Sequence, residues 1–245
     1  MLSKSQIKLI TSLDKKKYRN KHQLFVVEGI KSIEEFLYSD YELYLLFSVG
    51  DIYKNKDVIS TFITEAELKK ISFLSSPNSA LAVFKIPESK PIGNDRLIVA
   101  LDGISDPGNL GTIIRLCDWF GIKDLICSSN TVDCFNPKVV QSSMGSLTRV
   151  NITYLDLEDH LINRQDELIY GAFMNGESIY SSSVENKGIL VFGNESNGIR
   201  EEIEELVTSR ISIPQFGQDR KTESLNVAMA TAIMLSEFTR RTIEK

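Results

Sequence analysis

Three short segments carry the residue types and spacing that could hold a ligand or a reacting group. The first runs from Leu101 to Gly111 and sets Asn109 among glycines. The second, Gly193-Asn194-Glu195-Ser196-Asn197-Gly198, follows an apolar run directly. The third leads from Ile213-Pro214 through Gly217 to Ser224-Leu225-Asn226. Glycines in such loops let backbone amides approach a ligand closely. Gly103 to Gly108 and Gly188 to Gly193 have the G-x4-G interval of a phosphate loop, but Asn109-Leu110 and Asn194-Glu195 follow where Lys and Ser or Thr are needed. No GxGxxG occurs, so ATP hydrolysis and an ordinary dinucleotide site are disfavoured.

Taken singly, each candidate also has a structural reading. Asn109 can cap a helix that starts at Leu110. Arg115 can pair with Asp118 three residues on. Glu195 can be a solvated loop carboxylate, and Ser224 and Asn226 can cap the apolar helix after them. Cys117, Cys127 and Cys134 contain no CxxC pair and lie far in sequence from His22 and His160. Neither a disulfide frame nor a metal site is expected.

The elements that must position these loops follow from apolar periodicity. Helices are expected over Ser3–Leu13, Gly29–Leu37 (with Ile30, Ile33 and Leu37 on one face) and Thr64–Ser72, the last opened by the capping-box pattern Thr64-Glu65-Ala66-Glu67. Strands are expected at Leu24–Val27, Tyr41–Val49, Val58–Ile63 and Ala80–Ile86, and the stretch Pro87–Asp95 reads as a linker. Beyond it the pattern predicts strands at Leu97–Leu101, Asp124–Cys127, Val150–Tyr154, Leu168–Phe173, Ile189–Phe192 and Ile211–Ile213. Helices are expected at Leu110–Phe120, Pro137–Met144, Arg200–Val207 and Leu225–Arg241. Strands spaced by helices make a mostly parallel sheet, whose ligands sit at loops leaving the carboxyl ends of the strands. All three loops follow strands in this way.

The chain has 245 residues, 42% hydrophobic and 25% charged, which is globular composition. No run approaches the ~20 apolar residues that span a bilayer, and Met1–Ile10 lacks the apolar core of a signal peptide, so a cytoplasmic protein is expected. The formal net charge of −5 is uneven. Residues 1–31 hold eight Lys and Arg against Asp14 and Glu28, a net +6, which leaves −11 for the rest. Tyr18 and His22 interleave the basic residues of this segment, Lys15, Lys16, Lys17 and Arg19 among them, a pattern suited to phosphate recognition.

Together, Leu101–Arg115, Phe192–Gly198, and Ile213-Pro214 with Ser224–Ala228 resemble, in order, motifs 1, 2 and 3 of the SpoU (TrmH-type) RNA 2′-O-ribose methyltransferases of the SPOUT superfamily. Lys15–Gly29 resembles that family's substrate-binding domain, which has a fold like ribosomal protein L30e. The resemblance covers nearly the whole chain. It implies an α/β chain with an L30e-like RNA-binding domain at 1–90 and a SPOUT domain at 91–245 whose C-terminal segment forms a trefoil knot. It also implies an S-adenosylmethionine cofactor and a homodimer with active sites near the interface.

By motif position the cofactor contacts fall on Gly193, Ile213 and Leu225, and the functional polar residues on Asn109, Arg115, Glu195, Ser224 and Asn226. RNA contacts fall on Lys15, Lys16, Lys17 and Arg19. The family assigns activation of the ribose hydroxyl to the arginine at position 115. Because a guanidinium stays protonated, its expected part is electrostatic stabilisation of the developing alkoxide. Two departures stand out: the connection Gln218–Glu223 is longer and more charged than in many family members, and Ala228 replaces a common Ser. Large-subunit ribosomal RNA is the expected substrate. Transfer RNA, a non-catalytic RNA-binding or ribosome-assembly role on the same fold, and a small-molecule α/β enzyme are the alternatives.

Overall fold

The structure, a computed structural model, describes residues 2–54, 58–77, 79–94, 96–217 and 224–243. The connection Gln218–Glu223 and Asp95, the end of the expected linker, lie outside the described residues. In chain order the elements are α1 (Lys4–Ser12), α2 (Lys16–His22), β1 (Leu24–Glu28), α3 (Ile30–Leu37), β2 (Leu43–Ser48), β3 (Thr61–Phe62), α4 (Glu65–Ile71), β4 (Ala80–Lys85), β5 (Leu97–Asp102), α5 (Pro107–Trp119), β6 (Asp124–Ser128), α6 (Pro137–Ser143), β7 (Asn151–Leu155), α7 (Leu157–Ile162), β8 (Ile169–Ser178), β9 (Gly188–Gly193), α8 (Glu201–Glu204), β10 (Ser209–Ser212) and α9 (Val227–Ile243). They form two compact units: Met1–Glu88 with Asp133–Thr148, and Ser89–Val132 with Arg149–Lys245.

The first unit is built on a sheet of order β1-β4-β2-β3, antiparallel except where β3 runs parallel to β2. All five residues of β1 are buried, and a strand buried on both faces needs two covers. On one face Leu24 and Val26 join a core with Ile10 and Leu13 near α1 and Leu68 and Ile71 of α4. On the other, Phe25 packs with Phe36, Tyr41, Phe84 and Phe135 at ring separations of 4.7 to 6.2 Å. Phe135 comes from the later segment, and α6 packs against β1. The sequence-based division at residue 90 assigns 133–148 to the second domain; the structure assigns it to the first unit, because it supplies the second cover.

Local expectations hold where capping chemistry is explicit. At α4 the Thr64 side chain accepts from Glu67 N and the Glu67 carboxylate accepts from Thr64 N. They fail where burial is decided at long range. In α3 the buried residues are Ser32, Ile33 and Phe36, not Ile30 and Leu37. Of the strand expected over Val58–Ile63, only Thr61 and Phe62 pair, opposite Phe47 and Ser48, and Ile59 is 92% exposed. Two helices, α2 and α7, were not anticipated from periodicity.

The second unit has six parallel strands in the order β10-β8-β9-β5-β6-β7. The helices α7 and α8 contribute Leu157, Leu161 and Ile203 to a core with Ile98, Ile126, Ile189 and Val191. The helices α5 and α9 pack on each other, and α9 also contacts β9. The expected helix Arg200–Val207 stops at Glu204, because the chain turns into the sheet: Thr208 N donates to Ile169 O at 2.8 Å and its hydroxyl accepts from Ile169 N at 2.9 Å. From β5 the chain first builds β6 and β7 on one side, then returns to build β8, β9 and β10 on the other, with β9 set between β8 and β5. The strand order therefore reverses between β5 and β9, which is where a ligand crevice forms in open α/β sheets.

Candidate active site

At that reversal the first two loops meet. Asp102 ends β5 directly beside Gly193, which ends β9. Pro107 sits in the first turn of α5, and the cap is Asp106, whose carboxylate accepts from Asn109 N at 2.8 Å. Asn109 is thus not the cap, which leaves its side chain free to donate from Nδ2 to Glu195 Oε1 at 2.9 Å. Glu195 also accepts from Ser105 N and Ser105 Oγ at 3.2 Å, Asp106 N at 3.3 Å and Asn194 Nδ2 at 3.4 Å. Partial burial pushes its pKa up, but the donors from Asn109, Ser105 and Asp106 outweigh this and hold the carboxyl below its ordinary value.

The third loop joins through Asn109 as well. Its Oδ1 accepts from Asn226 Nδ2 at 2.9 Å, while Asn226 Oδ1 accepts from Ala228 N at 3.0 Å and Met229 N at 3.3 Å. Asn226 therefore caps α9 and reaches the first loop at once. One chain of hydrogen bonds, Glu195 to Asn109 to Asn226, ties all three loops together.

The second loop is tightly folded on itself. Asn194 and Gly198 exchange backbone hydrogen bonds of 2.9 Å, and Asn194 Oδ1 accepts from Ser196 N and Asn197 N. A Cβ on Gly193 would lie 2.1 Å from the carbonyl carbon of Gly198, so only glycine fits there. The buried Asp102 carboxylate accepts from Arg200 N at 2.9 Å and Arg200 Nε at 2.8 Å, closing the far end of the loop.

The second and third loops line an open cavity of about 620 Å³, a small-molecule size. Gly193, Ile213, Leu225, Glu195, Ser224 and Asn226 all line it, and Phe192, Ala230 and Met234 give it apolar walls. An apolar wall for a flat heterocycle beside a carboxylate for positive charge fits S-adenosylmethionine. Ala228, where the family commonly has Ser, is buried under the start of α9 and leaves this lining unchanged.

Arg115 is not brought to the cavity. It is exposed on α5, and among the described residues it has no hydrogen-bond or ion-pair partner; Asp118 instead pairs with Arg149 Nε at 2.9 Å. Lys15, Lys16 and Lys17 are exposed. Arg19 is the correction to the basic cluster: it is 2% exposed, with Nε and Nη2 donating to Asp133 Oδ2 and Nη1 to the carbonyls of Leu13 and Asp14. Its donors hold the first unit together and are not available to RNA. Ser105, Asp102 with Arg200, and Asn194 were missed as loop-positioning residues. Only Asp102 carried a sequence signal, as an acid closing an otherwise apolar strand.

The model of the SpoU rRNA Methylase family matches residues 96–236, and that of an MRM3-like substrate binding domain matches residues 4–82. The 23S rRNA (guanosine(2553)-2′-O)-methyltransferase RlmP of Bacillus subtilis is 28% identical over 231 residues, covering 91% of each chain. Among solved structures, one from Porphyromonas gingivalis assigned to the TrmH family of RNA methyltransferases is 40% identical, with TM-score 0.90 over 98% of this chain and 99% of its own. An AdoMet-bound rRNA methyltransferase from Sinorhizobium meliloti is 28% identical, with TM-score 0.85 over 99% of this chain and 97% of its own.

Proposed function

This chain belongs to the SpoU rRNA methylase family, and we propose that it is an S-adenosylmethionine-dependent RNA 2′-O-ribose methyltransferase acting on large-subunit ribosomal RNA in the cytoplasm. The observation that supports this reading is the 620 Å³ cavity lined by the second and third loops, both tied to the first through Asn109, with Gly193, Ile213 and Leu225 all in its wall. Bound there, S-adenosylmethionine supplies an electrophilic methyl group on a sulfonium. Transfer needs a ribose 2′-oxygen aligned opposite the sulfur and relieved of its proton. Glu195, Asn109 and Asn226 fix the loops that set this alignment, and Ser224 faces the cavity beside them. Arg115 stabilises the developing alkoxide and a neighbouring phosphate through its guanidinium charge.

Because Arg115 lies off its own chain's cavity, the reading includes a homodimer in which Arg115 completes the partner's site. Support comes from the α5 and α9 surface, where Trp119 is 84% exposed one turn after Arg115 and Met229 is 60% exposed. The reading also includes the family's knotted C-terminal segment. The N-terminal domain, matched by a substrate-binding model, takes the structured RNA through Lys15, Lys16 and Lys17. No metal enters this chemistry.

Mapping of 2′-O-methyl marks in total RNA from a strain lacking the gene, against its parent, tests the substrate. Loss of one mark in large-subunit RNA is expected. An unchanged ribosomal map with a missing transfer RNA mark would overturn it.

A further inference from the structure

The first unit holds a cavity of its own, of about 230 Å³, at the edge strand β1 of its sheet. Val26 and Glu28, which share a face of β1, line it. Phe73, which follows α4, and Asn136, Pro137 and Gln141 of the segment that carries α6 complete the lining.

Hydrogen bonds preform this cavity. The buried Glu28 carboxylate accepts from Phe73 N at 2.7 Å and from Ser72 Oγ, which fixes the segment after α4. Arg19 joins the other two sides: Nη1 donates to Asp14 O at 2.7 Å and Nε to Asp133 Oδ2 at 2.8 Å, while Asn136 N donates to Asp133 O at 2.9 Å. Asp14 also lines the cavity, and the exposed Lys15, Lys16 and Lys17 follow it directly. Methyl transfer makes no use of Glu28 or of the space beside it.

A volume under the ~300 Å³ of ordinary ligand sites suits one planar ring. Each Glu28 oxygen has one bond from the protein and a second lone pair for a ligand donor. Guanine is the standard base whose Watson–Crick edge sets two donors, N1–H and N2–H, side by side as a carboxylate requires. An arginine side chain offers a similar fork, but Lys15, Lys16, Lys17 and the exposed Lys138 of the lining repel a cationic chain and attract phosphate. We infer that this cavity takes an unpaired guanine of the RNA substrate, with Glu28 reading N1–H and N2–H and the three lysines holding flanking phosphates. The inference rests on the proposed RNA substrate and names a base that the first unit reads.

Fluorescence anisotropy of the full-length protein with labelled UUUGUUU, UUUIUUU and UUUAUUU tests it, because inosine keeps N1–H and lacks the 2-amino group. The guanine RNA should bind about tenfold tighter than the adenine RNA and about threefold tighter than the inosine RNA. Glu28→Gln turns an amide NH2 toward one of the base's donors and should bring the three affinities within about twofold of one another. Gln141→Trp, which fills the cavity from α6, should do the same. Equal binding of the three RNAs by the parent overturns the inference, as does a guanine preference that survives in Glu28→Gln. If Glu28→Gln does not fold by its thermal transition, a guanine preference that survives in folded Gln141→Trp overturns it instead. Displacement of the guanine RNA by N-acetylarginine amide and not by guanosine monophosphate assigns the cavity to a protein side chain and also overturns it. Binding to deproteinised large-subunit RNA without any base preference defeats the inference alone, whereas no binding to that RNA or to the three short ones defeats the RNA reading and the inference with it.

Discussion

Glu195 gathers hydrogen bonds from the backbone of one loop, from Ser105 Oγ and from Asn109, so its ionised form is what the site is built around. Glu195→Gln turns an amide NH2 toward one of those donors and leaves Asn109 poorly paired; cofactor affinity measured by calorimetry should fall at least tenfold at pH 7, at about 1.5 to 3 kcal/mol for a hydrogen bond to a charged group. The sign of the pH dependence follows from the lowered pKa. The folded form favours the carboxylate, so the stabilisation is present above the ordinary value of 4.5 and is lost as pH falls from there through the lower folded value. The Glu195→Gln variant should lack this acid limb. Arg115→Lys keeps the charge but not the planar fork, and single-turnover transfer should drop about a hundredfold; near-normal transfer would reject a role specific to the guanidinium. The residue types at the site were legible because their order in the chain is distinctive. Their division of labour was not: nothing in the sequence says that Asp106 takes the cap and frees Asn109.

At the scale of elements, the loop after β9 shows how little room the cavity leaves. Gly193→Ala would place a methyl group 2.2 Å from Ile199 N, and backbone at both ends of the loop must part to admit it. The expected result is a protein destabilised by about 1 to 3 kcal/mol in denaturant unfolding with cofactor binding abolished. Apart from α7, the strands and helices of the second unit were readable from apolar runs and helix-start signals. The bulge in β8 at 172–176 was not, since residues left out of a ladder are defined only by the partner strand. The shortened α8 was also hidden, because Thr208 ends it by bonding to Ile169 far back in sequence.

At the scale of the whole molecule, the basic N-terminal stretch divides by burial into two jobs. Asp133→Ala leaves Arg19 charged and buried without its carboxylate, so the first unit should lose about 3 kcal/mol of stability. Neutralising Lys15, Lys16 and Lys17 to Gln should leave stability within about 0.5 kcal/mol and lower the salt slope of RNA binding by about 2. The net charge of −5 concealed this arrangement by averaging a basic N-terminal stretch with an acidic remainder. The apolar run Leu24–Val27 signals a strand covered on both faces, but that one cover comes from Phe135 and α6 is a contact across more than a hundred residues. That is why a single linker near residue 90 did not describe both boundaries.

The proposed reaction is methyl transfer to a ribose oxygen of large-subunit RNA. It is tested by incubating the purified protein with methyl-labelled S-adenosylmethionine and large-subunit RNA from a strain lacking the gene, then hydrolysing the RNA in alkali. Label retained in a single alkali-resistant dinucleotide, as a 2′-O-methyl group requires, is the predicted result. Cofactor binding with no label in the RNA, or label recovered in mononucleotides as a base methylation, would contradict it.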